Sequence, residues 1–171
     1  MKKIVLLFIL AFLVTCISNN NEYIEIPSTS IRMRVIAKSN EEKDQKDKII
    51  IKSALEQKLY ELIKGKKDYK KIDETIEDNL EQLDEGIKNT IEKNDINSNF
   101  KTNYGYNYFP KKEFKGLTYK AGNYKSYVVT LGEGEGDNWW CVLYPPICLI
   151  DETVDNYSYH SLIKDILEKY N

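Results

Sequence analysis

The chain is 171 residues long and close to neutral, with 25 lysines and arginines against 27 aspartates and glutamates, and it holds one histidine. Its lysines are interspersed with carboxylates instead of gathered in a stripe, which removes the electrostatic case for nucleic acid. A single histidine leaves no histidine-rich metal site and no HExxH zinc enzyme, and the length suits one domain plus an extension.

Met1-Lys2-Lys3 precedes an apolar run from Ile4 to Ile17 and then the polar stretch Ser18 to Asn21. Two lysines before a short apolar segment describe a secretory signal peptide, and the run falls short of the ~20 residues of a comfortable bilayer span. The cleavage site is poor, so an uncleaved anchor stays open. Leu13-Val14-Thr15-Cys16 half resembles a lipobox, which leaves lipidation of Cys16 open as well. Residues 1–18 are read as signal peptide or anchor, 19–30 as a linker, and 31–171 as a single α+β domain. Removal of the signal leaves two cysteines in an oxidation-permissive location.

Ile31 to Ala37 alternates apolar and basic residues, the period of a half-buried strand. Ile31, Met33, Val35 and Ala37 face the core in that reading; Arg32 and Arg34 face away. Ser39-Asn40 offers a helix N-cap, with Glu41 and Glu42 in the first turn. The helix runs to about Lys64, with Ile51, Leu55, Leu59, Leu62 and Ile63 on one stripe and Gly65 as its C-terminal stop. A second helix is expected over 68–94, its seam made of Ile72, Ile76, Leu80, Leu83, Ile87 and Ile91. That seam suits packing on the domain's own sheet, with a coiled-coil partner as the sharper alternative.

From Phe100 the texture turns to β. Tyrosine-rich Lys101 to Tyr108, then Tyr124 to Leu131, then Trp139 to Tyr144 read as strands, punctuated by Pro110, Gly116 and Gly122-Asn123. A short helix over about Ser158 to Tyr170 turns Leu162, Ile163, Ile166 and Leu167 inward. The expected class is α+β: an antiparallel sheet packed against two long helices and a short C-terminal helix.

The stretch from Gly132 to Asp151 holds both tryptophans, Pro145-Pro146, three of the eight glycines, and the two cysteines outside the N-terminal segment. Catalytic readings of it are weak. His160 would have to serve Cys141 or Cys148, and nothing local supports that pairing. Gly132-Glu133-Gly134-Glu135-Gly136 puts carboxylates where a phosphate loop needs phosphates and lacks its lysine. Glu133, Glu135 and Asp137 beside the tryptophans are thin evidence for acid–base work. A Cys141–Cys148 disulfide requires the chain to reverse, and Pro145-Pro146 at the midpoint permits it. Such a short loop contributes about 2.5 kcal/mol in the chain-entropy model, and two buried thiols are the alternative. Strand alternation sets Trp139, Cys141 and Leu143 on one face and Trp140, Val142 and Tyr144 on the other. Either protein covers both faces, or Trp140 and Tyr144 are exposed anchors for a partner.

Ile31 to Asn40 with Asp44-Gln45, Tyr119 to Tyr124, and Gly132 to Cys148 with its Trp-Trp-Cys block resemble the stage II sporulation protein R family. The resemblance spans about Ile31 to Asp151. It implies a signal of endospore-forming bacteria, made in the forespore and exported into the space between the two membranes. There it would activate a membrane-embedded aspartic protease that removes the pro-sequence of an inactive mother-cell sigma factor. It implies a ligand and not an enzyme, with no catalytic residues and no cofactor. On that expectation Arg32, Arg34, Asp137, Trp140 and Tyr144 form or support the protease-facing surface, and Trp139, Pro145 and Pro146 are structural. An internal salt bridge from Arg32 or Arg34 to Asp137 or Glu135 is the alternative for the arginines. An exported cell-wall hydrolase or carbohydrate-binding module is the alternative function.

Overall fold

The computed structural model describes residues 24–114, 117–147 and 156–170. The elements in chain order are β1 (Ile24–Glu25), β2 (Ile31–Ile36), α1 (Glu42–Ile63), α2 (Tyr69–Glu77), α3 (Leu80–Lys93), β3 (Phe100–Phe109), β4 (Lys112–Phe114), β5 (Leu117–Tyr119), β6 (Gly122–Leu131), β7 (Asn138–Tyr144) and α4 (Asn156–Tyr170). They build two sheets, one of order β3-β6-β2-β7 and a smaller one of order β1-β5-β4. The signal segment, Cys16 and Cys148 lie outside the described residues.

The class is α+β as expected, but the sheets are mixed. β2 pairs in parallel with β6, and β1 with β5, while β2–β7, β3–β6 and β4–β5 are antiparallel. The reason is the long crossover through α1, α2 and α3: it delivers the chain to β3 at the far edge, and the return strand β6 then inserts beside β2 in the same direction. Within the stretch read as a linker, Ile24–Glu25 pair with Leu117–Thr118, and Ile26 is buried.

Four-residue spacing decides the helical layer. Ile51, Leu55, Leu59 and Ile63 of α1 are buried together with Ile72, Ile76, Leu83 and Ile87 of α2 and α3. They meet Met33, Val35, Tyr127, Val129 and Leu131 on one face of the four-stranded sheet. Each such aliphatic side chain contributes about 1.5–3 kcal/mol by leaving water. The seam thus packs on the domain's own sheet. Carboxylates pin it there: the Tyr104 hydroxyl donates to Asp73 at 2.6 Å, and Tyr127 donates to Asp84, which also accepts from Thr102 at 3.0 Å.

The expected second long helix is two helices. The Asn79 amide donates to the Thr75 carbonyl at 2.8 Å, so the side chain competes for a backbone acceptor where the helix breaks. Ile76, Leu80 and Leu83 keep to one side across the break, which is why the apolar pattern alone reads as continuous. The C-terminal helix, at 15 residues, is longer than α2 at 9. Helix α1 starts later than expected. Glu41 is its N-cap, and Ser39 instead accepts from the Glu41 amide through its hydroxyl at 3.1 Å. Gly65 ends α1 with φ of 76°.

A second core lies on the opposite face of the large sheet. Ile26, Leu117, Val142, Ile147 and Ile163 bury one another there, drawn from the small sheet, the end of β7 and α4. Both faces of β2 and β7 are therefore covered. Among the described residues no helix is long and apolar enough to cross a membrane.

Candidate functional site

The two segments that carry the sequence resemblance form one structural unit. β2 and β7 are neighbours, with Val35 opposite Trp139, Arg34 opposite Trp140 and Arg32 opposite Val142. Beyond the strands, the Glu135 and Gly136 amides donate to the Lys38 and Ala37 carbonyls at 3.2 and 3.0 Å. Asn40 accepts from the Asp137 amide at 2.7 Å, and the buried Lys48 ammonium donates to the Asp137 carbonyl at 3.1 Å. Gly132 and Gly134 turn this loop with φ of 54° and 71°, a region open to glycine at little cost.

Arg32 and Arg34 point away from the helices, as the alternation predicts, but they do not point into solvent. Arg32 is 1% exposed. Its guanidinium carbon lies 3.4 Å from the Tyr124 ring centroid and 5.2 Å from that of Phe109, and its Nε donates to Ser30 at 3.1 Å. Arg34 sits 4.0 Å over the same Phe109 ring and donates to the Tyr108 carbonyl. Phe109 in turn meets Trp140 edge-on at 5.2 Å and Tyr124 at 6.0 Å. Loss of water on burial lowers the pKa of both arginines. Tyr119 of the small sheet adds to the cover of Arg32, its ring centroid 5.8 Å from the guanidinium carbon.

Tyr144 is a correction of position. Ile31 pairs with Tyr144 while Arg32 pairs with Val142, so Leu143 is an extra residue in β7. This β-bulge carries Tyr144 over to the helix face, where it is 9% exposed between Tyr69 and Tyr170, each ring 5.6 Å away and edge-on. It does not share a face with Trp140.

Asp137 is exposed just before β7, opposite Ala37, and among the described residues it bonds through its backbone alone. Among the described residues neither arginine forms an ion pair, so the internal salt bridge to Asp137 or Glu135 is not what holds them. Trp139 packs partly into the helix-side core, with the Lys52 ammonium 4.4 Å over its ring. Trp140 is half-buried, with the Lys112 ammonium 5.0 Å away. Pro145 is buried and Pro146 half-buried after β7. Cys141 is buried; its expected partner, Cys148, lies outside the described residues.

Sequence reasoning missed Phe109 and Tyr124 as the arginines' partners, and it missed the exposed Tyr106 and Tyr108 on edge strand β3, 73% and 60% exposed. The signal was there in part: Tyr104, Tyr106 and Tyr108 alternate, and Phe109 falls on the opposite parity.

Fold and site together define an α+β domain organised around two stitched segments and an arginine–aromatic layer between sheets. Residues 27–154 match the stage II sporulation protein R family. The chain is 31% identical over 163 residues to Stage II sporulation protein R of Bacillus subtilis (strain 168), covering 88% of this chain and 73% of that protein. It belongs to the stage II sporulation protein R family, and its role is in sporulation. No solved structure matches it.

Proposed function

We propose that the chain is an exported sporulation signal. It crosses the forespore membrane, acts from the intermembrane space, and activates a membrane-embedded aspartic protease that processes an inactive mother-cell sigma factor. Family membership over residues 27–154 carries this reading. The stitching of 31–40 to 132–144 into one unit supports it, because that unit is where a partner would find the residues the family resemblance singles out.

Asp137 is among the exposed residues of the unit and Trp140 is half-buried beside it, and these two meet the protease. Arg32, Arg34 and Tyr144 hold that surface from beneath. A Cys141–Cys148 disulfide closes the turn at Pro145-Pro146 once the chain is exported. The chain acts as a ligand and contributes no catalytic group.

The test is a reconstitution in a non-sporulating host that expresses the protease and its pro-sigma-factor substrate. Cleavage that depends on co-expression of this chain is the expected result. Absence of cleavage, with export verified and the protease known to be competent, contradicts the proposal.

A further inference from the structure

A cavity of about 250 Å³ opens on the face of the large sheet turned away from α1–α3, between β7 and the small sheet. Arg32, Lys112, Phe114, Tyr119, Trp140 and Val142 are among the residues that line it. Arg34 adjoins it, its guanidinium carbon 5.8 Å from the Trp140 ring centroid. Arg34 and Lys112 thus flank one tryptophan and Arg32 shares the cavity lining with it, and among the described residues none of the three has a carboxylate partner.

The polar groups there are also unmet. Arg32 is 1% exposed, and neither of its Nη atoms has a hydrogen-bond partner. Buried Arg34 Nε and Trp140 Nε1 likewise have none. A guanidinium stripped of water and short of acceptors is costly: Arg32 bonds only through Nε, to Ser30, and the neighbouring rings compensate only in part. Like charges nearby add to that cost.

We propose that this cavity is a carboxylate-binding site that takes an acidic side chain of a peptide together with an apolar neighbour. The planar, two-oxygen carboxylate matches the fork of guanidinium N–H donors and leaves room for the indole N–H. Phe114, Tyr119 and Val142 supply an apolar wall that the neighbouring side chain fills and a bare inorganic anion leaves empty. Phe114 is 44% exposed, so the cavity is open to a partner at the surface. The assignment stands on the cavity's own chemistry and is independent of the signalling reading.

The test uses the chain purified from an exporting host, with acetyl-Glu-Phe-amide as probe and acetyl-Gln-Phe-amide as its neutral counterpart. Trp139 and Trp140 are the only tryptophans, so their fluorescence reports the site directly. The expected result is a saturable fluorescence change and a raised Tm with the acidic peptide, and at least about tenfold weaker binding of the neutral one. That preference is lost in Arg32→Met, whose Tm without peptide equals or exceeds the wild type because an unpaired buried charge is gone. If Arg32→Met fails to fold, Lys112→Glu carries the same test from the rim. Equal response to both peptides, no saturable response, or an unchanged preference in Lys112→Glu overturns the proposal. Inorganic phosphate or phenylacetate that reproduces the full response also overturns it, in favour of an oxyanion or a free acid.

Discussion

Gly136 lies so close to Ser39 that a Cβ at position 136 would stand 2.2 Å from the Ser39 carbonyl oxygen. No side chain can occupy that space without moving backbone, because the contact is to a carbonyl held by the Gln45 amide at 2.9 Å. Gly136→Ala is therefore expected to cost about 2–4 kcal/mol in urea denaturation, by prying the two stitched segments apart. Gly86→Ala on α3, where nothing lies within 4 Å of the added carbon, is expected to gain about 0.5–1 kcal/mol. Equal stability of the two variants would show that the stitch is not under constraint.

Tyr144 and Trp140 should separate in behaviour, although they are close in sequence. Tyr144→Ala empties a buried slot between two edge-on rings and is expected to cost about 3–5 kcal/mol. Trp140 is half-buried, and Trp140→Ala should leave a folded chain with impaired protease activation. Circular dichroism and thermal melts of both variants, run beside the reconstitution, check the distinction. A Tyr144→Ala chain as stable as wild type would place that ring outside the core.

Three tyrosines predict alkaline sensitivity. Burial pushes the Tyr69 hydroxyl up to about 12, and burial with a bonded carboxylate raises Tyr104 and Tyr127 further. The folded pKa lies above the unfolded value near ~10, so the fold favours the neutral phenol. The stabilisation is fully present below pH ~10 and is lost as pH rises through the folded values. Urea midpoints measured between pH ~8 and ~12 should hold to about pH 10 and then fall. Tyr69→Phe should make the early part of that fall shallower; an unchanged slope would remove Tyr69 as a contributor.

Lys48 is a buried lysine with a structural task. Its ammonium bonds Gln45 at 2.6 Å and the Asp137 carbonyl at 3.1 Å. Lys48→Met should cost about 1–2 kcal/mol and speed hydrogen exchange at the Glu135 to Asp137 amides. Unchanged exchange there would mean the loop is held by its backbone bonds alone.

Much of the helix-facing architecture was legible because it is periodic. Ile51, Leu55 and Leu59 mark α1, and Met33 and Val35 mark the inner face of β2, at the spacings their elements impose. What stayed hidden depends on distant partners. Tyr144 looks coplanar with Trp140 until the extra Leu143 is seen, and a bulge leaves no mark on strict alternation. Arg32 looks like a solvent-facing strand residue, because the Phe109 and Tyr124 rings that cover it come from strands far away in sequence. The parallel pairing of β2 with β6 is likewise set by where a long crossover lands, not by either strand's composition. The site was half legible: the segments were identifiable, and the Phe109 and Tyr124 rings that receive the arginines were not.

The central claim is that the chain works as a signal from outside the compartment that makes it. The most direct measurement compares, in the reconstituted host, the full chain with a chain lacking residues 1–18. The account predicts pro-sigma-factor cleavage with the full chain and none with the truncated one at equal expression. Equal cleavage with both would contradict it, since activation would then need no export.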